Sequence, residues 1–136
     1  MIKYIKLYFI TLVPFFVIDM LWLGLVAKNF YGTYLGYLMA PNPNWLAAII
    51  FYLLFLVGAL VFVVIPGLEK QSLKTTLLRG VLFGLVTYAT YDLTNLATIK
   101  DWPLVVTVVD LAWGTTVSTL TGALGYLGGR WIGWNK

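Results

Sequence analysis

Residues 45–65 run for 21 positions without one charged side chain, and this run constrains the fold more than any other feature. About 20 apolar residues in a helix span the hydrocarbon core of a bilayer. Three more runs of similar length, at residues 4–27, 77–99 and 104–127, carry a single acidic residue each. Polar or turn-forming stretches separate them: 28–44, Pro66-Gly67 with the polar residues that follow, and Lys100-Asp101-Trp102-Pro103. The pattern predicts an all-α, polytopic four-helix transmembrane bundle that occupies residues 1–136 as one domain.

Composition agrees. The chain is 61% hydrophobic and 10% charged, against about 45–50% and 25% in soluble domains, so it could not cover a water-facing surface with polar groups. Four spans and short loops leave no room for a soluble domain. With no Cys and no His, a disulfide, a thiolate nucleophile and a zinc site built on His or Cys are excluded within it. The net charge of +4 does not imply nucleic acid, because the basic residues fall mainly in loops and at the ends, where topology accounts for them. The basic start Lys3-Tyr4-Ile5-Lys6 resembles a signal peptide. The apolar run behind it is too long for a signal core of 7–15 residues, so it reads as a retained first helix, kinked at Pro14.

Basic residues orient the bundle. Lys3, Lys6, Lys70, Lys74, Arg79, Arg130 and Lys136 fall on one side, Lys28 and Lys100 on the other. Seven against two places both termini in the cytoplasm. Stretch 28–44, with Phe30, Tyr31, Tyr34 and Tyr37, then faces outside, in part as an interfacial helix. Small residues mark packing faces: Gly80 and Gly84 on the third helix, and Gly114, Ser118 and Gly122 on the fourth. Such stripes let backbones approach closely, within the bundle or in a homodimer.

Three carboxylates lie inside the spans: Asp19, Asp92 and Asp110. Each costs about 3 kcal/mol near a helix centre. Topology puts all three in the outer half of the bilayer, which predicts one shared polar site. Asp19 and Trp22, like Asp110 and Trp113, are three residues apart with a Gly close behind, so each pair shares a helix face and a Trp of one helix could donate to the Asp of another. The repeat also hints that helices one and four are inverted copies. Tyr88, Asp92 and Asn95 share one face of helix three, and Thr107 adds a hydroxyl near Asp110. The candidate ligand- or ion-binding residues are Asp19, Asp92, Asn95, Asp110, Trp22, Trp113 and Tyr88. Lys28 and Lys100 stand at its mouth as counter-charges or as interfacial anchors.

Three readings remain open. The pocket binds or transports a proton, a cation or a small polar or cationic ligand, with aromatic faces adding cation–π attraction. Alternatively, the carboxyl groups are internal hydrogen-bonding ties, neutral or satisfied by Trp, Tyr, Thr and Asn, in a structural or accessory subunit. A lipid-modifying enzyme using Mg²⁺ and a diphosphate is disfavoured: no clustered acidic motif and no basic phosphate clamp stands at the outer face. No catalytic residue, metal or cofactor is assigned.

The segment Phe16-Val17-Ile18-Asp19-Met20-Leu21-Trp22-Leu23-Gly24 and its continuation to Tyr31 resemble the opening of DUF2177, a family of small bacterial membrane proteins without an assigned activity. Tyr88-Ala89-Thr90-Tyr91-Asp92-Leu93-Thr94-Asn95, Lys100-Asp101-Trp102-Pro103 and Val109-Asp110-Leu111-Ala112-Trp113-Gly114 resemble its later segments. The resemblance spans nearly the whole chain. It implies a four-helix, multi-pass protein of the bacterial inner membrane, and no activity.

Overall fold

The computed structural model describes residues 1–134 and is helical throughout, with no strand among them. Lys136, counted above with the basic residues of one side, lies outside the described residues. α1 (Ile2–Trp22) passes through Pro14 and a π-helical turn (Leu23–Ala27) into α2 (Lys28–Leu35). α3 (Trp45–Ala59) continues through a second π turn (Leu60–Val64) into α4 (Ile65–Glu69). α5 (Leu73–Thr98) and α6 (Leu104–Trp131) complete the chain.

The first helix does not stop at Ala27. No proline or capping residue interrupts Lys28-Asn29-Phe30-Tyr31, so helical winding carries on to Leu35. The chain turns only over Gly36 and the Pro41/Pro43 stretch. The Asn44 side chain then caps α3 by accepting from the Ala47 N–H at 3.1 Å. Nor does Pro66-Gly67 end the second helix. Proline is tolerated in the first turn of a helical segment, and here it opens α4. Because Pro66 has no N–H, it cannot complete the α-helical bond to the Phe62 carbonyl four residues earlier. Arg79 of α5 donates to that carbonyl instead, at 3.1 Å. The third helix starts at Leu73, ahead of the expected Leu77, because Ser72 caps it by accepting from the Thr75 N–H at 3.2 Å.

Three helical stretches are long and apolar enough to cross a membrane: Ile2–Leu35, Trp45–Glu69 and Leu104–Trp131. α5 is long enough too, with 26 residues, but it is more polar: it holds Lys74, Arg79, Asp92 and several threonines. Those threonines are satisfied within the helix. Thr87, Thr90, Thr94 and Thr98 all donate to carbonyls one turn back.

α6 is the hub. α5 lies along it, α1 packs on it, and the second π turn and α4 reach its far half. Gly80 and Gly84 make the α5–α6 approach close. A Cβ on Gly80 would stand 2.8 Å from the Thr119 Cα, and one on Gly84 would overlap the Gly114 carbonyl. Gly122 faces Val63, and Gly129 faces Leu68 and Leu7. The small-residue faces are thus covered by helices of the same chain. Two apolar clusters fill the bundle. One joins Leu7, Leu60, Val64, Leu68, Tyr126 and Trp134; the other joins Phe15, Phe55, Leu56 and Val117. Leu, Val, Ile and Phe lie exposed along every long helix, while Thr11, Thr76, Ser118 and Thr121 are buried. A surface that apolar suits lipid, not water.

Gly80→Ala should lower thermal stability in detergent by about 1–3 kcal/mol through overpacking. Gly24→Ala, whose Cβ would meet nothing within 4 Å, should leave stability unchanged or raise it. Equal effects in paired melts would remove the role given to close α5–α6 contact.

Candidate functional site

Asp19, Asp92 and Asp110 are 6%, 0% and 7% exposed. They come from α1, α5 and α6, and all three act electrostatically on the Tyr88 side chain, which stands among them. Tyr88 occupies that place because Gly114 has no side chain: a Cβ there would overlap the tyrosine ring. The close α5–α6 packing thus seats the ring at the centre of the acidic cluster.

Each carboxyl group has a different environment. Asp19 accepts from the Tyr52 hydroxyl of α3, and the Trp113 indole of α6 lies against it. Asp110 accepts from the Tyr31 hydroxyl of α2 and neighbours Asp92. Asp92 is fully buried. Its oxygens meet no N–H or hydroxyl donor and lie within hydrogen-bonding reach of the Asp110 carboxyl, so that one of the pair must carry a proton to join them. Two ionised carboxylates offer each other acceptors only. Neither settles the other's hydrogen bonding without a proton or a cation between them.

Trp22 and Trp113 stack nearly parallel, with centroids 4.3 Å apart and planes 7° from parallel. Their rings and those of Tyr31, Tyr52 and Tyr88 line a cavity of about 130 Å³ that contains Asp19. A cavity of about 370 Å³ lies beyond Tyr88, with Asp110 as its acidic wall and Phe51, Phe55, Thr87 and Tyr91 around it. No Lys or Arg lines either space. α2 and the turn after it cover the cluster from the loop side: Tyr31 bonds Asp110, and the Tyr37 hydroxyl donates to the Asp101 carbonyl at 2.9 Å.

A family model of predicted membrane proteins, DUF2177, matches residues 4–127. The chain belongs to the DUF2177 family. No curated protein and no solved structure matches it. All three acidic residues of the cluster in this DUF2177 chain fall inside the matched span, together with Trp22, Tyr88 and Trp113.

Asn95, assigned to the pocket from the sequence, and Thr107, noted as a hydroxyl near Asp110, line neither cavity. Asn95 is half-buried beside the Tyr91 hydroxyl, one turn further along α5 than Asp92. The Thr107 hydroxyl accepts from the Trp102 indole at 3.0 Å, which fastens the α5–α6 turn. Lys28 and Lys100 are exposed and line neither cavity. Among the described residues, no group of three His, Cys, Asp or Glu side chains is placed to hold a metal ion.

Tyr31 and Tyr52 are the partners that sequence reasoning missed. In an uninterrupted α-helix, Tyr31 would point roughly 120° away from Asp19, twelve residues earlier. The wider winding of the π turn Leu23–Ala27 takes out part of that rotation and swings Tyr31 toward the acidic face. Tyr52 carries the only hydroxyl in the uncharged run 45–65. A buried hydroxyl needs an acceptor, so that isolation was a usable signal.

Tyr52→Phe should destabilise the protein by about 1–3 kcal/mol, because it strips a buried carboxyl group of its donor. In an Asp19→Asn background the same change should cost less, with a coupling energy of about 1 kcal/mol in a double-mutant cycle. Strict additivity would separate the two side chains.

Proposed function

We propose that this protein is a four-span bundle with both termini in the cytoplasm, and that its acidic cluster, in the outer half of the bilayer, binds a small cationic group. α5 is taken as the fourth span because it pairs along α6 and is of spanning length. Its polar residues point into the bundle (Asp92) or lie near its end (Lys74, Arg79). The basic residues at the α1, α4 and α6 ends and the start of α5 support the orientation.

The observation that carries the binding reading is Asp92. A fully buried carboxyl group that meets no N–H or hydroxyl donor and lies beside a second carboxyl group is costly in its ionised form unless something positive compensates it. No basic side chain of the site does so. Aromatic rings surround the space, and desolvated ring faces attract cations by about 2 kcal/mol. Protons and inorganic cations would meet the charge requirement alone; an organic ammonium group would use the rings as well.

A second reading has its own support. The Tyr52–Asp19 and Tyr31–Asp110 bonds tie α3 to α1 and α2 to α6, as a purely structural network would. The two readings meet at Asp110: Asp19 acts mainly as a tie, Asp110 is both a tie to Tyr31 and the acidic wall of the larger cavity, and Asp92 is its buried partner.

Tetramethylammonium titrated into protein in lipid nanodiscs, followed by calorimetry, tests this. Binding should weaken at least tenfold, about 1.4 kcal/mol, in Asp92→Asn and in Asp110→Asn, while both variants remain folded by circular dichroism. Absence of binding to the wild type, with both variants losing only stability, would favour the structural network.

A further inference from the structure

The cluster is shielded on its loop side and open on its flank. α2 lies over it through Tyr31, and Tyr37 in the turn that follows donates to the Asp101 carbonyl between α5 and α6. Between α3 and α5 the contact is made by rings, Phe55 against Phe83 and Tyr88 with centroids 5.3 and 6.5 Å apart, and the two backbones stay further apart than those of α5 and α6. The 370 Å³ cavity occupies this gap, with Asp110 at its inner wall and Phe51 and Tyr91 exposed at its mouth. A second apolar groove of about 380 Å³ runs on from it along α5. Phe62, Leu82, Phe83 and Val86 line it, and the two spaces share Thr87. Leu82, Val86 and Phe62 are exposed as well, so this track lies on the lipid-facing surface.

The track begins at Tyr91 and ends at Arg79. Those twelve residues of helix rise about 18 Å, the length scale of a medium alkyl chain. Its chemistry changes along that length. The Tyr91 end meets Asp110, with Asp92 fully buried and lining neither space; the rest is apolar until Arg79, whose guanidinium is turned to the Phe62 carbonyl. A ligand fitted to both parts carries positive charge at one end and hydrocarbon at the other.

We propose that the site takes a single-chain amphiphile with a cationic ammonium head, which enters sideways from the bilayer through the α3–α5 cleft and lays its chain along α5. This rests on the cation-binding reading above and adds the ligand class and the route. Charge complementarity selects the head, since the Asp110 carboxyl and no basic residue line the space it would enter. The apolar groove that adjoins the pocket at Thr87 selects the tail. A small hydrophilic cation would leave the groove unused.

The test compares dodecyltrimethylammonium with tetramethylammonium, both measured in nanodiscs and corrected for partition into protein-free nanodiscs. Wild type should bind the dodecyl compound at least tenfold more tightly. Val86→Trp, an exposed position that should tolerate the larger ring, fills the track and should reduce that preference to less than threefold. Phe62→Ala provides a second variant and should also lower the preference. Asp110→Asn, with Asp92→Asn as the alternative should it fail to fold, should weaken both ligands. Equal affinity for the two cations, or a preference that survives Val86→Trp, would overturn the lateral route while leaving cation binding in place. Failure of both compounds to bind would overturn both readings.

Discussion

Close contact between two helix backbones governs the rest of this molecule. Gly80 and Gly84 on α5 meet Gly114 and Thr119 on α6 with no side chain between them, and in lipid such contact gains dispersion energy where the hydrophobic effect supplies no drive. One turn beyond Gly84, Tyr88 lays its ring over Gly114. Asp92 and Asp110 face each other further along the pair. A bulky residue at any of the three glycines would move the ring, and with it the group around which the carboxyl groups gather.

Polarity is inverted relative to a water-soluble bundle. Apolar side chains dominate the outside, and the inside holds three carboxyl groups, several hydroxyls and a set of aromatic rings with polar edges. In the hydrocarbon core each unsatisfied polar group is expensive. The chain meets this need in three ways. Threonines bond back to their own helices, tyrosines reach across to Asp19 and Asp110, and Arg79 supplies the bond that Pro66 cannot make. Asp92 meets no tyrosine or indole donor and has the Asp110 carboxyl as its partner, which requires a proton or a cation between them and is why it dominates the functional reading.

Much of this was legible in the sequence. The uncharged run, the three intraspan acids and the small-residue stripes depend on local composition and helical spacing, and so they could be read directly. The i, i+4 relation of Tyr88 and Asp92 placed both on one face. The pairs Tyr31–Asp110 and Tyr52–Asp19 were not legible, because they join residues far apart in the chain. Tyr31 was obscured further by two features that leave no clear mark: a helix that continues past Lys28, and a π turn that changes its facing. Asn95 shows the reverse error. Helical spacing alone puts it on the Asp92 face, but it lies a turn further along and finds Tyr91 first. The pairing of small-residue faces within one chain depended on which helices became neighbours, and periodicity does not encode that.

The claim beneath all of this is that acids from three helices meet around Tyr88 and are held there by tyrosines of two more helical segments. Solid-state NMR in lipid bilayers tests it directly, with carbon-13 at the Asp carboxyl and Tyr Cζ positions. The account predicts short-range correlations that disappear selectively, one with Tyr31→Phe and another with Tyr52→Phe. Asp and Tyr carbons without mutual correlations, in a protein that is otherwise folded and helical, would contradict it.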